Sequence, residues 1–304
     1  MIFIICLIII VIILSIIKIN RIEKFKLSDI SDDLNGEKVL VVQPWAGLCN
    51  RLRGIASSII LAKELGRKLY VIWDDTDWQL KMSWVEFTSI FNIDAELWNG
   101  PIPLLSKCYN SFKHPQFKDK LYHYETTNDF IKENIPDENE QILSLTTHNY
   151  IINIDGYSLT DILKPNVKFK NENLMKIDYN KTIGIHVRRG DHGTYNDQIG
   201  WSQPVNEKYF SQIDKYIDQY NLKSDYLIFL STDDVKIKKQ FQDKYKDKLY
   251  YYELKNKVSR SSESVKEAII DNLTLGECKY MIGTNHSSFS QIATDWNKNI
   301  MTYL

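Results

Sequence analysis

The sequence predicts an α/β protein: two Rossmann-like domains facing a cleft, preceded by an N-terminal transmembrane helix. Three observations carry this. Short β-branched runs alternate with stretches of helical periodicity along most of the chain. The length of 304 residues suits two domains better than one. The opening run, MIFIICLIIIVIILSII, has no charged side chain from Met1 to Ile17.

That run comes first. At 1.5 Å rise per residue it reaches ~25 Å, enough for a bilayer core. It is apolar on every face and lacks both a basic n-region and a small-residue cleavage site, so it reads as an anchor (1–17) rather than a cleaved signal. Lys18, Arg21, Lys24 and Lys26 all follow it, which by the positive-inside rule places the body on the cytoplasmic side. Residues 18–36 are polar and of mixed charge, a stem or linker.

The N-terminal domain is expected over 37–165. Val39 to Val42 is a β-branched strand, and Pro44 to Asn50 a loop holding Gly47. Arg51 to Leu65 has helical spacing through Leu52, Ile55, Ile59, Leu61 and Leu65, with Gly66 as C-cap. Leu69 to Trp73 is a second strand, completing a strand–helix–strand unit of a parallel sheet. From 78 to 160 the pattern weakens into short helices and loops, with one further strand in SLTTHNYIINIDGY.

The C-terminal domain, 166–304, repeats the logic. Strands are expected at Ile183 to Val187, YLIFLSTDD, KLYYYEL, YMIGT and IMTYL. Helices are expected at Glu207 to Tyr220, KIKKQFQDKY, Ser264 to Cys278 and SSFSQIATDW.

Composition narrows the function. A net charge of −1 gives no global basicity to recruit nucleic acid, so an anionic ligand must be met by a local cluster. Cys6, Cys49, Cys108 and Cys278 form no CxxC pair and no zinc-ligand spacing with His, so they read as reduced, buried thiols. The chain lacks both GxGxxG and a Gly-Lys-Ser/Thr run, which argues against a dehydrogenase and a P-loop NTPase.

In open α/β sheets ligands gather beyond the carboxyl ends of the strands. That rule selects Gly47 to Arg51, His186 to Asp191, Ser231 to Asp234, and Thr284 to Ser290. In HVRRGD, Arg188 and Arg189 are planar donor forks suited to phosphate, Gly190 allows close backbone approach, and Asp191 can hold one of the pair. Ser287 and Ser288 open a helix, where hydroxyls and unpaired N–H groups suit a phosphate or sugar hydroxyls. Thr232, Asp233 and Asp234 end a strand within reach of a ribose or base, and Asn50 and Arg51 would face the cleft from the other side. The DDTDW stretch (Asp74, Asp75, Asp77) contains a D-x-D spacing, weak evidence for a metal.

These segments resemble the fucosyltransferase superfamily with the two-domain GT-B fold, which includes α1,2-, α1,6- and protein O-fucosyltransferases and nodulation-type enzymes. IGIHVRRGD is similar to its signature, GLCNRLRG to its N-terminal Gly-rich loop, FLSTDD to its second motif and GTNHSSFSQIA to its third, in the same order. The resemblance implies a glycosyltransferase moving fucose from GDP-fucose to a hydroxyl of a glycan or protein acceptor, with inversion and without a metal or other cofactor. It makes Arg188 the essential diphosphate ligand and His186 a nucleotide contact. It makes Asp271, thirteen positions before Thr284, the guanine-reading carboxylate. It also points to a secretory lumen, against the Lys/Arg bias and against the sequons at Asn180, Asn272 and Asn285, two of which flank the nucleotide site.

One departure stands out. The α1,6 enzymes place a Glu shortly after the Arg pair, whereas this chain has HGTYND. Asp197 becomes the candidate general base, with Asp191 the acid nearer the Arg pair. The alternatives are a transferase using another nucleotide sugar and a nucleotide- or glycan-binding protein that has lost catalysis.

Overall fold

The computed structural model describes residues 34, 36–76, 79–99, 141–151, 154, 156–166, 177–189, 206–222, 225–253, 255 and 260–304. Two parallel sheets lie in the two halves. The first holds β1 (Val39–Pro44), β2 (Lys68–Val71), β3 (Glu96–Leu97) and β4 (Ile142–Thr147) in the order β3-β2-β1-β4. The second holds β5 (Thr182–Val187), β6 (Leu227–Thr232), β7 (Leu249–Tyr250), β8 (Tyr280–Gly283) and β9 (Ile300–Tyr303) in the order β7-β6-β5-β8-β9. Strand order reverses beside β1 in the first sheet and beside β5 in the second. Crevices for ligands open at such points.

The helices are α1 (Leu48–Glu64), α2 (Trp84–Ile90), α3 (Leu159–Leu163), α4 (Asn206–Gln219), α5 (Val235–Tyr245), α6 (Ser262–Glu277) and α7 (Ser288–Asn297). Central strands β1 and β5 are buried along almost their whole length because helices or loops cover both faces. α1 begins three residues before the sequence suggests, with Gly47 as N-cap, and Gly66 follows its end at φ +61°. A left-handed residue there suits glycine. β4 begins two residues before the SLTTHNY stretch, and β7 is only two residues of KLYYYEL. As an edge strand, β7 has hydrogen-bonding partners on one side alone.

The halves share one core. On α6, Val265, Ile269 and Leu273 recur every four residues and pack with Leu52, Ile55 and Phe87 of the first half. On α7, Ile292 and Trp296 join the same cluster, while Ala293 faces the second sheet beside Met281. The α6–α7 contact is close. A Cβ on Gly276 would lie 2.6 Å from Trp296 Cδ1 and 2.9 Å from the Ala293 carbonyl. Asn272 locks the pair: its Nδ2 donates to the Phe289 carbonyl (2.9 Å) and its Oδ1 accepts from Trp296 Nε1 (2.7 Å). This sequon asparagine is therefore buried structure and closed to a glycan in the folded chain. Glu86 on α2 closes a capping box with Ser83 and reaches across to Ser262 and Lys266 on α6. The Ser262 hydrogen bond, with the Ser83 amide and Lys266, holds its carboxyl down at about 2.

No helix among the described residues is long and apolar enough to cross a membrane. The expected anchor (1–17) and nearly all of the expected stem (18–36) lie outside the described residues. So do Cys6 and Cys108, while Cys49 and Cys278 are free and buried.

Candidate functional site

Thr284, just past β8, ties the ends of β5 and β8 together. Its hydroxyl donates to the His186 carbonyl (2.9 Å) and accepts from the Arg188 amide (3.0 Å). With its one proton committed, the Tyr209 hydroxyl at 3.1 Å must be the donor in that pair. The Thr284 amide donates to Ser290 Oγ (3.0 Å), and the same oxygen sits 2.7 Å from His186 Nδ1. The imidazole also stacks on Phe289, centroids 4.7 Å apart. Both ring orientation and Nδ1 are thus held from α7. Ser287 is the N-cap residue of α7, but its hydroxyl makes no capping hydrogen bond. Ser288 opens the helix beside it, and first-turn N–H groups of a helix attract anions.

The STDD stretch first builds its own loop. Thr232 Oγ1 donates to the Val187 carbonyl (2.8 Å), Asp233 Oδ1 accepts from the Arg189 amide (2.9 Å), and Asp234 caps α5 through the amides of Lys236 and Ile237. The Arg188–Arg189 backbone is thereby fixed from both neighbouring strands. The same three residues line a pocket whose inner wall includes Leu230 and Asp271.

Asp271 is 6% exposed. Its Oδ2 accepts from Ser231 Oγ at 2.5 Å, and its Oδ1 has no hydrogen-bond partner. Burial raises this carboxyl to about 7, against the lowering effects of the Ser231 hydrogen bond and the Lys238 charge. A buried carboxylate oxygen without a partner costs about 1–3 kcal/mol or more. Its position on a pocket wall is where a ligand donor would relieve that cost.

On the first half, Ala46 takes a left-handed backbone (φ 70°), and Arg51 holds it: Nε donates to the Ala46 carbonyl (2.9 Å) and Nη1 to the Asp74 carbonyl (2.7 Å). The guanidinium lies over Trp73, 4.8 Å from the ring centroid. Arg51 is fully buried and does not face the cleft, contrary to the expectation from sequence. Its fork is spent on stabilising the loop. Asn50 does not cap the helix; its Oδ1 accepts from Arg53. Gly47 borders open space.

Arg53 is the residue that joins the halves here, donating to Gln291 Oε1 on α7 (2.8 Å) and to the His148 carbonyl beyond β4 (3.3 Å). His148 packs on Trp45 (4.6 Å), and its imidazole is shifted down by burial and by the Arg53 charge. The Cys49 thiol is pushed up to about 12 by burial, while the positive charges of Arg53 and Arg188 oppose the rise. Arg188, from the second half, therefore lies close enough to the start of α1 for its charge to be felt there.

Sequence reasoning passed over Thr284, Ser290 and Arg53 as individual site residues. Each sits inside a segment that was singled out, but its partner is 98, 104 or 238 positions away. Asp191 and Asp197, the acids considered for catalysis, lie outside the described residues, as does Asp77 of DDTDW. Asp74 closes its own turn onto Thr76 (2.9 Å).

No family model matches this chain, and no curated protein matches it in sequence. Its structure, however, has relatives. Its fold, two parallel α/β halves, is similar to that of solved fucosyltransferases. NodZ, an α1,6-fucosyltransferase from Bradyrhizobium crystallised with GDP, matches with a TM-score of 0.54 at 15% identity, over 84% of this chain and 92% of its own. POFUT1 in complex with GDP matches with a TM-score of 0.50 at 11% identity, over 88% of this chain and 99% of its own.

Proposed function

We propose that this protein is an inverting, metal-independent glycosyltransferase that moves fucose from GDP-fucose to a hydroxyl of a glycan or glycoprotein. The observation that carries the reading is the buried Asp271 carboxylate, one oxygen without a partner, on the wall of a pocket that adjoins the β5 end bearing His186, Arg188 and Arg189. A carboxylate pairs with the N1–H and N2–H of guanine, and the same groups repel adenine. The fold relatives crystallised with GDP agree with this choice of nucleotide.

In this reading Arg188 stabilises the charge that grows on the departing diphosphate as the glycosidic bond breaks. Ser287, Ser288 and the first turn of α7 would hold phosphate or fucose hydroxyls. Inversion needs a base on the far side of the sugar, and Asp197 is the candidate, with Asp191 beside the Arg pair. The N-terminal run would tether the body to a membrane.

A second reading, nucleotide-sugar binding without transfer, is favoured by one feature: the HGTYND stretch shortly after the Arg pair contains no Glu. Calorimetry on the full chain with GDP, GDP-fucose, GDP-mannose and UDP-glucose, with and without EDTA, tests both. Tight GDP-fucose binding, transfer of fucose to a member of a glycan panel with release of GDP, and indifference to EDTA are expected. Equal affinity for UDP and GDP overturns the guanine assignment. GDP-fucose binding with no hydrolysis or transfer selects the second reading.

A further inference from the structure

The pocket that holds Asp271 also contains a cation. Lys238 lies one helical turn after the α5 cap Asp234, and both line this pocket. The Lys238 side chain is held rather than loose. Its ammonium pairs with Glu253 and sits 3.7 Å from the centroid of the Tyr251 ring. Tyr251 is in turn fixed by a hydrogen bond from Gln242 Nε2 (2.8 Å). An ammonium has three N–H donors, and Glu253 engages one side of it. Burial raises the Asp271 carboxyl and the Lys238 charge opposes that rise, so the two groups act across the same space. Val235, 61% exposed, adds an apolar edge against which a flat ring can lie.

An acceptor and a donor on one pocket wall make a pattern. Guanine presents an oxygen acceptor at position 6 next to donors at N1 and N2. Adenine presents the reverse, a donor at position 6 next to an acceptor at N1. A carboxylate alone recognises the N1–N2 donors but leaves position 6 unread. We propose that Lys238 reads the 6-oxo group of the base and is, with Asp271, a determinant of guanine specificity. This rests on the GDP reading above and adds a residue to it. Adenine then meets like groups at both positions, and rejection of that kind exceeds what lost contacts alone supply.

Binding of GDP, ADP and the diphosphate of 2-aminopurine riboside, which keeps the 2-amino group but lacks both the 6-oxygen and the N1–H, tests this on the full chain, the change in the GDP-to-analogue ratio on substituting Lys238 isolating position 6. The comparison uses wild type, Lys238→Met and Lys238→Gln. Wild type is expected to favour GDP over the 2-aminopurine analogue by at least about tenfold. Lys238→Met should weaken GDP by about tenfold while leaving the analogue nearly unchanged, and Lys238→Gln, which keeps an N–H donor, should recover part of the loss. Damage to the diphosphate site or to folding would lower all three ligands together and cancel in the ratio. A GDP-to-analogue ratio unchanged in both variants, beside tight wild-type GDP binding, overturns the role of Lys238 alone. Failure of wild type to bind GDP overturns the underlying reading as well.

Discussion

Arg51, in the first turn of α1 after β1, and Arg188, directly after β5, both lie beyond a strand where the sheet order reverses. Their surroundings differ. Around Arg51 the backbone supplies the acceptors: the Ala46 and Asp74 carbonyls take its N–H groups and Trp73 covers its face. Around Arg188 the backbone is held by others, through Thr284 on one side and, at the next residue, through Asp233 on the other. A loop that must be supported consumes its arginine. A loop supported from neighbouring strands can present one to a ligand. In the proposed reading the second half would then be the donor side and the first the surface that faces it.

The sharpest way to break this contrast is to remove each guanidinium. Arg188→Ala should lower turnover with GDP-fucose by about 1000-fold or more, with a melting temperature close to wild type. Arg188→Lys should restore little, because a point charge does not replace a fork. Steady-state kinetics beside thermal melts reads both. Arg51→Met should do the converse. It leaves two buried carbonyls without their donor, so a loss of about 3 kcal/mol in denaturant unfolding is expected, while the GDP affinity of the remaining folded protein stays near wild type.

A smaller effect comes from Asp271. Its folded value of about 7 lies well above the ~3.9 of an unfolded Asp. The folded state therefore binds this proton more tightly, and the contribution to stability is present below about pH 4 and lost as pH rises toward 7. Ligand binding runs the other way, since guanine donors require the carboxylate. GDP affinity should rise as pH passes upward through 7, and Asp271→Asn should flatten that dependence and weaken GDP by about tenfold or more. A flat wild-type profile by fluorescence or calorimetric titration between pH 6 and 8 would sink the assignment.

The smallest effect expected is at Ser287. Its hydroxyl makes no capping bond, so Ser287→Ala should change stability by less than ~0.5 kcal/mol. If the hydroxyl serves the ligand, GDP-fucose affinity should fall several-fold, or about 1 kcal/mol. A stability loss without an affinity loss would make Ser287 an ordinary helix cap.

Much of this was legible from the chain alone where the signal is local. The β-branched runs at Val39 to Val42 and Ile183 to Val187, and the helical spacing in 51–65, 207–220 and 264–278, match elements in the structure to within a few residues. Strand direction also places His186, Arg188 and Thr232 at the carboxyl ends of β5 and β6, the edge where ligands gather in parallel α/β sheets. Arg51 was expected to face the cleft because it follows Gly47 beyond a strand end, and its burial against Trp73 and Asp74 cannot be read from that position.

What the sequence determined by itself is periodicity: which segments are strands and helices, and which strand ends carry charge. Those follow from side-chain patterns over a handful of neighbours. Only the tertiary structure decided which of these groups are spent on the fold and which remain for a ligand. Thr284 meeting His186, Ser231 meeting Asp271 and Arg53 meeting Gln291 join positions 40 to 238 residues apart. Each hydrogen bond also removes a polar group from the set that can bind, and that subtraction depends on packing. It turns Arg51 into scaffold, and it leaves one oxygen of Asp271 unpaired beside Lys238.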